Sequence, residues 1–329
     1  MADVVDDTQP LLELRDLSVE FKTRRGSVAA VDRVSFSLRS GEILGIVGES
    51  GCGKSTLCTA ITGLLPRNAR VGGELLFKGE DLLRKSPREM RDLRGKDITM
   101  VLQNPMTALD PVFTVGDQLM EILHHNAQMS VGQRRSRALE MLKRVHIPEA
   151  ARRLLNYPHE MSGGMKQRVL MAMATSLYPG LLLADEPTTA LDVTIQEQIL
   201  RLLSEIRSTL GAGIILVTHD LGVVRRLCDR VVIMYAGKAV ENGDTEAIFA
   251  RPQHPYTRAL LASIPRIGEE RERLTAIKGQ IPDLAHLPAG CAFAPRCPEF
   301  LEHCAQNAPP VVRNGSGWTR CWLHEEGRA

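Results

Sequence analysis

The chain has 329 residues, a Lys and Arg total of 41 against 39 Asp and Glu, and a net charge of +2. Its length suits one large domain plus a smaller one, and its balanced charge and 4% aromatic content argue against a nucleic-acid-binding surface. No apolar stretch approaches the roughly 18 residues of a membrane span, and the acidic residues 1–9 do not fit a secretory signal, so we expect a cytosolic chain with reduced thiols.

The N-terminal third predicts strands around one central motif. Residues 11–21 and 28–38 alternate apolar and polar positions, which predicts paired strands joined by a loop at 23–26. The next predicted elements are a buried strand at 43–47, a helix at 57–65 and strands at 73–77 and 97–102.

A phosphate-binding motif, G-x-x-x-x-G-K-[ST], lies between the strand at 43–47 and the helix after it. In such a unit, backbone N–H groups and a helix N-terminus converge on an anion. Lys54 is expected to reach the terminal phosphates, and Ser55 to place its hydroxyl on Mg²⁺. The alternative is a chance match on a Gly-rich turn, which the flanking elements disfavour. The predicted nucleotide-binding residues here are Gly48, Glu49, Ser50, Gly51, Cys52, Gly53, Lys54, Ser55 and Thr56.

The middle of the chain alternates helices and strands. Residues 114–155 show helical periodicity and predict a helical insertion. This alternation indicates an α/β core with a parallel sheet. The composition changes near residue 250, where we predict a domain boundary. The predicted elements before it are a helix at 165–177, a strand at 181–184, a helix at 193–210 and a strand at 214–217.

Polar residues follow three of these strands. Asp185 and Glu186 end the strand at 181–184, where ligands gather in a parallel sheet, so Asp185 could hold Mg²⁺ and Glu186 could polarise a water. The alternative is a strand end with solvated acids. His219 could reach a terminal phosphate or serve only as a turn or capping residue. Gln103 could touch Mg²⁺ or the attacking water.

A second anion site is predicted where Ser162-Gly163-Gly164 opens a helix. Alone, this pattern could be an ordinary N-capped helix after a glycine turn. The full motif order argues otherwise: P-loop, Gln103, Ser-Gly-Gly, Asp185-Glu186, Ala190-Leu191-Asp192, His219.

This motif order resembles the ATP-binding subunits of ABC transporters over residues 11–250. The resemblance implies a P-loop NTPase α/β fold: a RecA-like parallel sheet, an antiparallel β subdomain and a helical subdomain at about 105–165. It also implies ATP and Mg²⁺ as ligands, with Ser55, Gln103 and Asp185 at the Mg²⁺ site. Glu186 would be the general base and His219 the switch histidine, and Gln103 would be a catalytic as well as a Mg²⁺-site residue.

The resemblance further assigns Phe21 to stacking on adenine, although a strand-end core role is the alternative. Ala190 to Asp192 would couple two subunits. Met165 departs from the Gln that is usual in the family. Two subunits would pair head to tail, with ATP between the P-loop of one and the Ser-Gly-Gly of the other.

Residues 251–257 look like the start of the C-terminal segment of peptide importers, so the resemblance implies a peptide-import ATPase at the cytoplasmic face of the inner membrane. The implied partners are a second ATPase, favoured as a paralogue, two permeases, and a periplasmic or lipid-anchored peptide-binding protein, with no nucleic acid. The helical insertion and residues 104–111 would grip the permeases. The alternative is a soluble ABC-type ATPase acting on nucleic acid or the ribosome.

The predicted extension at 251–329 ends in four cysteines with the spacing C-x5-C-x6-C-x16-C: Cys291, Cys297, Cys304 and Cys321. In a reduced compartment this pattern suggests a metal or cluster site. It resembles the iron–sulfur motif of some peptide-importer ATPases, which favours a [4Fe–4S] cluster over zinc or unligated thiols. Few apolar residues surround these cysteines, so ligation could supply much of the folding free energy of the tail. Cys58 and Cys228 are expected to be small core residues, and Cys52 in the P-loop is expected to be a tolerated small residue, with a redox role as the alternative.

Overall fold

The computed structural model describes residues 9–24, 26–102, 108–126, 129–189, 192–263 and 277–325. These described residues fall into two compact units. The first unit contains residues 9–11, 38–42 and those between 84 and 217; the second contains residues 12–37, 43–83 and those from 218 onward.

In the second unit, an antiparallel sheet has the strand order β2-β1-β4-β5. Leu12, Leu14 and Val19 of β1 are buried while the intervening positions are more open, as the predicted alternation requires. The paired strands predicted at 11–21 and 28–38 are therefore confirmed. The bounds are β1 Leu12–Thr23, β2 Gly26–Leu38, β4 Ala69–Phe77 and β5 Glu80–Asp81.

The second unit also contains strands around β3, Ile43–Val47, whose residues are all buried. A strand covered on both faces reads as a continuous apolar run, which is why the sequence predicted it. β3 pairs in parallel with β9, and antiparallel pairing then continues from β9 to β10, β12 and β11. These strands are β9 Arg230–Tyr235, β10 Lys238–Asp244, β11 Val311–Asn314 and β12 Gly317–Arg320.

Four described helices belong to the second unit: α1 Lys54–Ile61, α8 Leu221–Leu227, α9 Thr245–Ala250 and α10 Pro255–Ala262. The prediction of a helix at 57–65 was wrong in its bounds. Gly53, in a left-handed conformation with φ 102°, starts α1 earlier, and Gly63, with φ 63°, follows its early end.

In the first unit, β6, β7 and β8 form a parallel ladder with β7 in the middle. Helices lie before, between and after these strands along the chain, as an α/β arrangement predicts. The strands are β6 Ile98–Val101, β7 Leu181–Asp185 and β8 Gly213–Thr218. The helices are α2 Pro87–Leu93, α3 Val115–Asn126, α4 Val131–Arg144, α5 Ala150–Arg153, α6 Gly163–Thr175 and α7 Val193–Leu210.

Across the described residues, no helix combines the length and the apolar character needed to cross a bilayer. The helical insertion predicted at 114–155 is confirmed as α3, α4 and α5, which pack through buried residues such as Leu119, Leu142 and Ala150.

Candidate functional site

The P-loop between β3 and α1 is pressed against neighbouring backbone. A Cβ on Gly48 would lie 2.2 Å from the carbonyl oxygen of Met234, and one on Gly53 would lie 2.2 Å from that of Ala30. Real Cβ atoms do not approach this closely, and Gly53 also has a positive φ. The two glycines are therefore required by the path of the loop.

Lys54 turns back into this loop. Its side chain is buried, with 5% exposed, and its Nζ donates to the carbonyl oxygens of Gly48 at 2.8 Å and Glu49 at 3.0 Å. Among the described residues, no side chain caps the N-terminus of α1, and Ser55 is exposed there. Uncapped amides and a fixed ammonium at one helix end make an anion site.

Glu49 of the P-loop contacts the C-terminal tail, which the sequence did not predict. Its carboxylate accepts two hydrogen bonds from Arg296, at 2.7 Å and 3.1 Å, and its backbone N–H donates to Tyr256 Oη at 3.0 Å. Arg296 lies 247 positions away along the chain. Since no local pattern links such distant positions, the sequence carried no signal for this contact.

The predicted second anion site lies at the start of α6. Ser162 is the N-cap, and its Oγ accepts a hydrogen bond from the Met165 N–H at 3.3 Å. Gly163 faces open space, since no heavy atom of the described residues lies within 4 Å of a Cβ built there. Gly164 differs, because its Cβ would lie 2.6 Å from Cγ2 of Ile195 on α7. The two glycines thus differ in their surroundings: Gly163 faces open space, and Gly164 is needed for the close packing of α6 on α7.

Asp185 is the last residue of β7 and Glu186 follows it, so the two carboxylates lie at the end of the strand as predicted. Asp185 is buried with 4% exposed, whereas Glu186 is half-buried and adopts a left-handed backbone with φ 48°. The Glu186 N–H donates to the Val217 carbonyl at 2.9 Å, and its Oε2 accepts from Thr189 Oγ1 at 2.8 Å. A left-handed conformation costs a non-glycine residue about 1–2 kcal/mol, and such strain concentrates at functional sites.

Three further predicted positions take ordinary structural places. His219 is exposed directly after β8, and Phe21 is half-buried near the end of β1. Asp192 caps α7, its Oδ1 accepting from the Ile195 N–H at 2.9 Å. Gln103, Ala190 and Leu191 lie outside the described residues.

Cys58 and Cys228 are buried, which confirms them as small core residues. Cys52 is also buried, and burial raises the pKa of its thiol. Burial also raises the pKa of Cys291 and Cys297, and brings the pKa of Cys321 to about 11.

The four tail cysteines are neighbours in space. The Cys291 N–H donates to the Cys304 carbonyl at 2.7 Å. A negative charge on Cys291, Cys297 or Cys304 would raise the pKa of Cys321. Even so, the described residues contain no group of three or more His, Cys, Asp or Glu side chains that could hold a metal ion. The iron–sulfur site therefore stays a prediction.

The tail has more packing of its own than the sequence suggested. Phe293 is buried with 1% exposed, and its ring lies 5.2 Å from that of Tyr235, 5.4 Å from that of Tyr256 and 5.9 Å from that of His254. Burying one Phe is worth about 1.5–3 kcal/mol, so ligation is not the sole source of folding free energy here. Burial also lowers the pKa of His254 to about 3, which keeps this ring neutral inside the aromatic cluster.

Comparison with known proteins identifies the family to which these features belong. Residues 31–189 match the family described as ABC transporter, and residues 240–304 match the oligopeptide/dipeptide transporter C-terminal region. The chain is 50% identical to the dipeptide transport ATP-binding protein DppD of Bacillus subtilis, over 97% of this chain and 96% of that one. It is 49% identical to the oligopeptide transport ATP-binding protein OppD of Salmonella typhimurium, over 94% and 92% of the two chains.

The chain belongs to the ATP-binding subunits of the oligopeptide and dipeptide ABC transporters. It also resembles a solved dimer of the ATP-binding cassette MJ0796 bound to ADP and Pi, with a TM-score of 0.65 and 30% identity over 71% of this chain and 98% of that one. The predicted fold class and the prediction of an ABC-type ATPase are confirmed.

Proposed function

We propose that this ABC ATPase subunit powers the uptake of dipeptides or oligopeptides across the bacterial inner membrane. The observation that carries the proposal is the identity of about half the residues to peptide-transport ATPases over nearly the whole chain, C-terminal region included. A soluble ATPase acting on nucleic acid has no such support. The subunit would sit peripherally at the cytoplasmic face, and residues 1–250 and 251–329 would form its ATP-binding domain and importer extension.

ATP binding is assigned to the P-loop and the start of α6. Lys54 and the amides of α1 would hold the phosphates, Ser55, Gln103 and Asp185 would hold Mg²⁺, and Phe21 would stack on adenine. The Ser162 end of α6 would contact the nucleotide held by the other subunit of a head-to-tail dimer. Helix N-termini and a buried cation suit a polyphosphate, which supports this assignment.

Hydrolysis needs a base near the terminal phosphate, and Glu186 has that role in the proposal. It is a carboxylate on a strained turn directly after a buried strand, where a polar group can face the carboxyl end of the sheet. His219 and Gln103 would position the phosphate and the water. Residues 190–192 would pass the closure of the dimer to the other subunit.

The permeases would dock on the helical part of the first unit. A groove of 930 Å³ lies there, lined by three acidic residues, Asp110, Asp117 and Glu121, by one basic residue, Arg134, and by Phe113, which is 53% exposed. Its excess of acidic over basic side chains and its apolar residues fit a permease segment with both basic and apolar side chains. Partners would be two permeases, a paralogous ATPase and a peptide-binding protein.

The four tail cysteines are proposed to hold a [4Fe–4S] cluster with a structural or regulatory role. The proposal is supported by the spacing C-x5-C-x6-C-x16-C and by the hydrogen bond that brings the backbones of Cys291 and Cys304 together. Protein purified without exposure to oxygen should show bound iron and a broad visible absorbance, and C297S should lose both. Protein containing no iron, or containing zinc instead, would contradict the cluster.

The function itself is tested with the assembled transporter. Its MgATP turnover should rise when the peptide-binding protein is present with peptide, and the peptides that co-purify with that protein would name the cargo. An assembly with no affinity for MgATP and no nucleotide-dependent pairing of its ATPases would contradict the proposal.

A further inference from the structure

The P-loop and the Cys-rich tail are joined by one buried ion pair. Arg296 Nη1 donates to Glu49 Oε2 at 2.7 Å and Nη2 donates to Oε1 at 3.1 Å, the two parallel bonds of a bidentate pair. The Arg296 side chain is 5% exposed and that of Glu49 is 25% exposed. Because the guanidinium is almost fully buried, this pair differs from fully exposed surface ion pairs, which contribute little.

Two further hydrogen bonds fix the guanidinium of Arg296. Its Nε donates to the carbonyl of Lys278 in the tail at 2.9 Å, and its Nη1 donates to Tyr235 Oη on β9 at 3.3 Å. Arg296 ends a short 3-10 helix, Ala294–Arg296, which lies between Cys291 and Cys297. Its position therefore depends on the fold of the segment that carries the cysteines.

Glu49 links Arg296 to Lys54, the lysine proposed to bind phosphate. The Glu49 carbonyl and that of Gly48 accept the hydrogen bonds of Lys54 Nζ, while the Glu49 N–H is taken by Tyr256 Oη. The carboxylate of Glu49 is also a negative charge beside a site for negative phosphates. Unpaired, it would repel a polyphosphate and compete for Lys54.

We propose that Arg296 is a positioning residue for nucleotide binding, which neutralises Glu49 and anchors the base of the P-loop to the Cys-rich tail. The affinity of this chain for MgATP then depends on the fold of the tail, although the tail supplies no atom to the phosphates. This inference rests on the proposed assignment of ATP to the P-loop.

The test is MgATP binding to the full-length protein. R296A should bind about tenfold more weakly, because charge-assisted hydrogen bonds are lost and the Glu49 carboxylate is left unpaired. The double variant R296A/E49Q should recover most of this loss, since the repelling charge is removed as well. R258A is the matched control: it breaks the Arg258–Glu299 pair, at 2.9 Å in the same tail, without touching the P-loop. It should bind MgATP like the wild type.

Each outcome decides the proposal. Wild-type affinity in R296A would overturn it, and so would weak binding in both R296A and R296A/E49Q, because Arg296 would then serve only the folding of the tail. If R296A does not fold, R296K and R296K/E49Q are compared in the same way. K54A distinguishes failure of the proposed ATP site from failure of the proposed role of Arg296. Normal MgATP binding by K54A would contradict the ATP site at the P-loop. Weak binding by K54A together with normal binding by R296A would contradict only the role of Arg296.

Discussion

The helices α1 and α6 both begin at glycine-rich turns, yet their first turns are built differently. α1 starts at Gly53, and no side chain of the described residues caps it; Lys54 folds back over a loop pressed onto backbone carbonyls. α6 starts at Ser162, which already caps the helix, and Gly163 beside it faces open space.

The difference concerns what each helix end can hold. The end of α1 carries its own cation and a closed backbone cradle, which supports the proposal that a polyphosphate binds there. The end of α6 presents amides on an open surface with no such cradle around Gly163 in the described residues. It suits a phosphate that is already held elsewhere, which is the arrangement that a head-to-tail dimer would provide.

In the proposed function both helix ends bind phosphate and neither transfers a proton, so a change at Glu186, the proposed base, has the largest expected effect. E186Q should keep MgATP binding while turnover falls at least about 100-fold, because general-base catalysis contributes about 10²–10⁴-fold. Single-turnover hydrolysis alongside MgATP titration makes the measurement.

The matched control for this charge loss is E205Q. Glu205 is exposed on α7, where it lies 3.4 Å from His146 Nε2, so turnover should be unchanged. Turnover retained by E186Q would remove Glu186 from the role of base and leave proton transfer to a group not yet identified.

The second effect concerns Lys54, the cation whose side chain folds back over the start of α1. K54A should weaken MgATP binding at least about tenfold, since hydrogen bonds to charged groups are worth about 1.5–3 kcal/mol. K143A, on the exposed side of α4, removes the same charge where Ala suits the helix, and should bind normally. Equal affinity of K54A and K143A for MgATP would show that Lys54 does not contribute to binding at the start of α1.

Both helix ends could be predicted from the sequence because each is a local pattern. The P-loop spacing, the buried strand before it and the Ser-Gly-Gly turn all act through neighbours in the chain. The start of α1 was misplaced by three residues, because apolar periodicity begins at Leu57 whereas the backbone turns helical directly after Gly53.

What the sequence did not predict depends on distant partners. The clash that makes Gly164 necessary comes from Ile195, and the anchor of Glu49 comes from Arg296. The left-handed backbone of Glu186 is likewise fixed by its hydrogen bond to Val217 on the neighbouring strand. Such contacts exist only after the chain has folded, and one sequence shows no local trace of them.

The smallest effect separates the two glycines at the start of α6. G164A should lower the free energy of unfolding by about 1–3 kcal/mol, because its methyl group would overpack against Ile195. G163A should be as stable as the wild type or slightly more stable, since Ala is the better helix former. Denaturant unfolding of the two variants makes the comparison.

ATP hydrolysis should show the opposite order, with the larger loss in G163A. The methyl group of G163A would stand on the open amide face, so hydrolysis by the assembled transporter should fall although the fold is intact. If G164A proves as stable as G163A, the packing role of Gly164 is wrong. If G163A hydrolyses ATP normally, the exposed amides at the start of α6 do not bind phosphate. The proposal that the starts of α1 and α6 both bind phosphate would then be wrong.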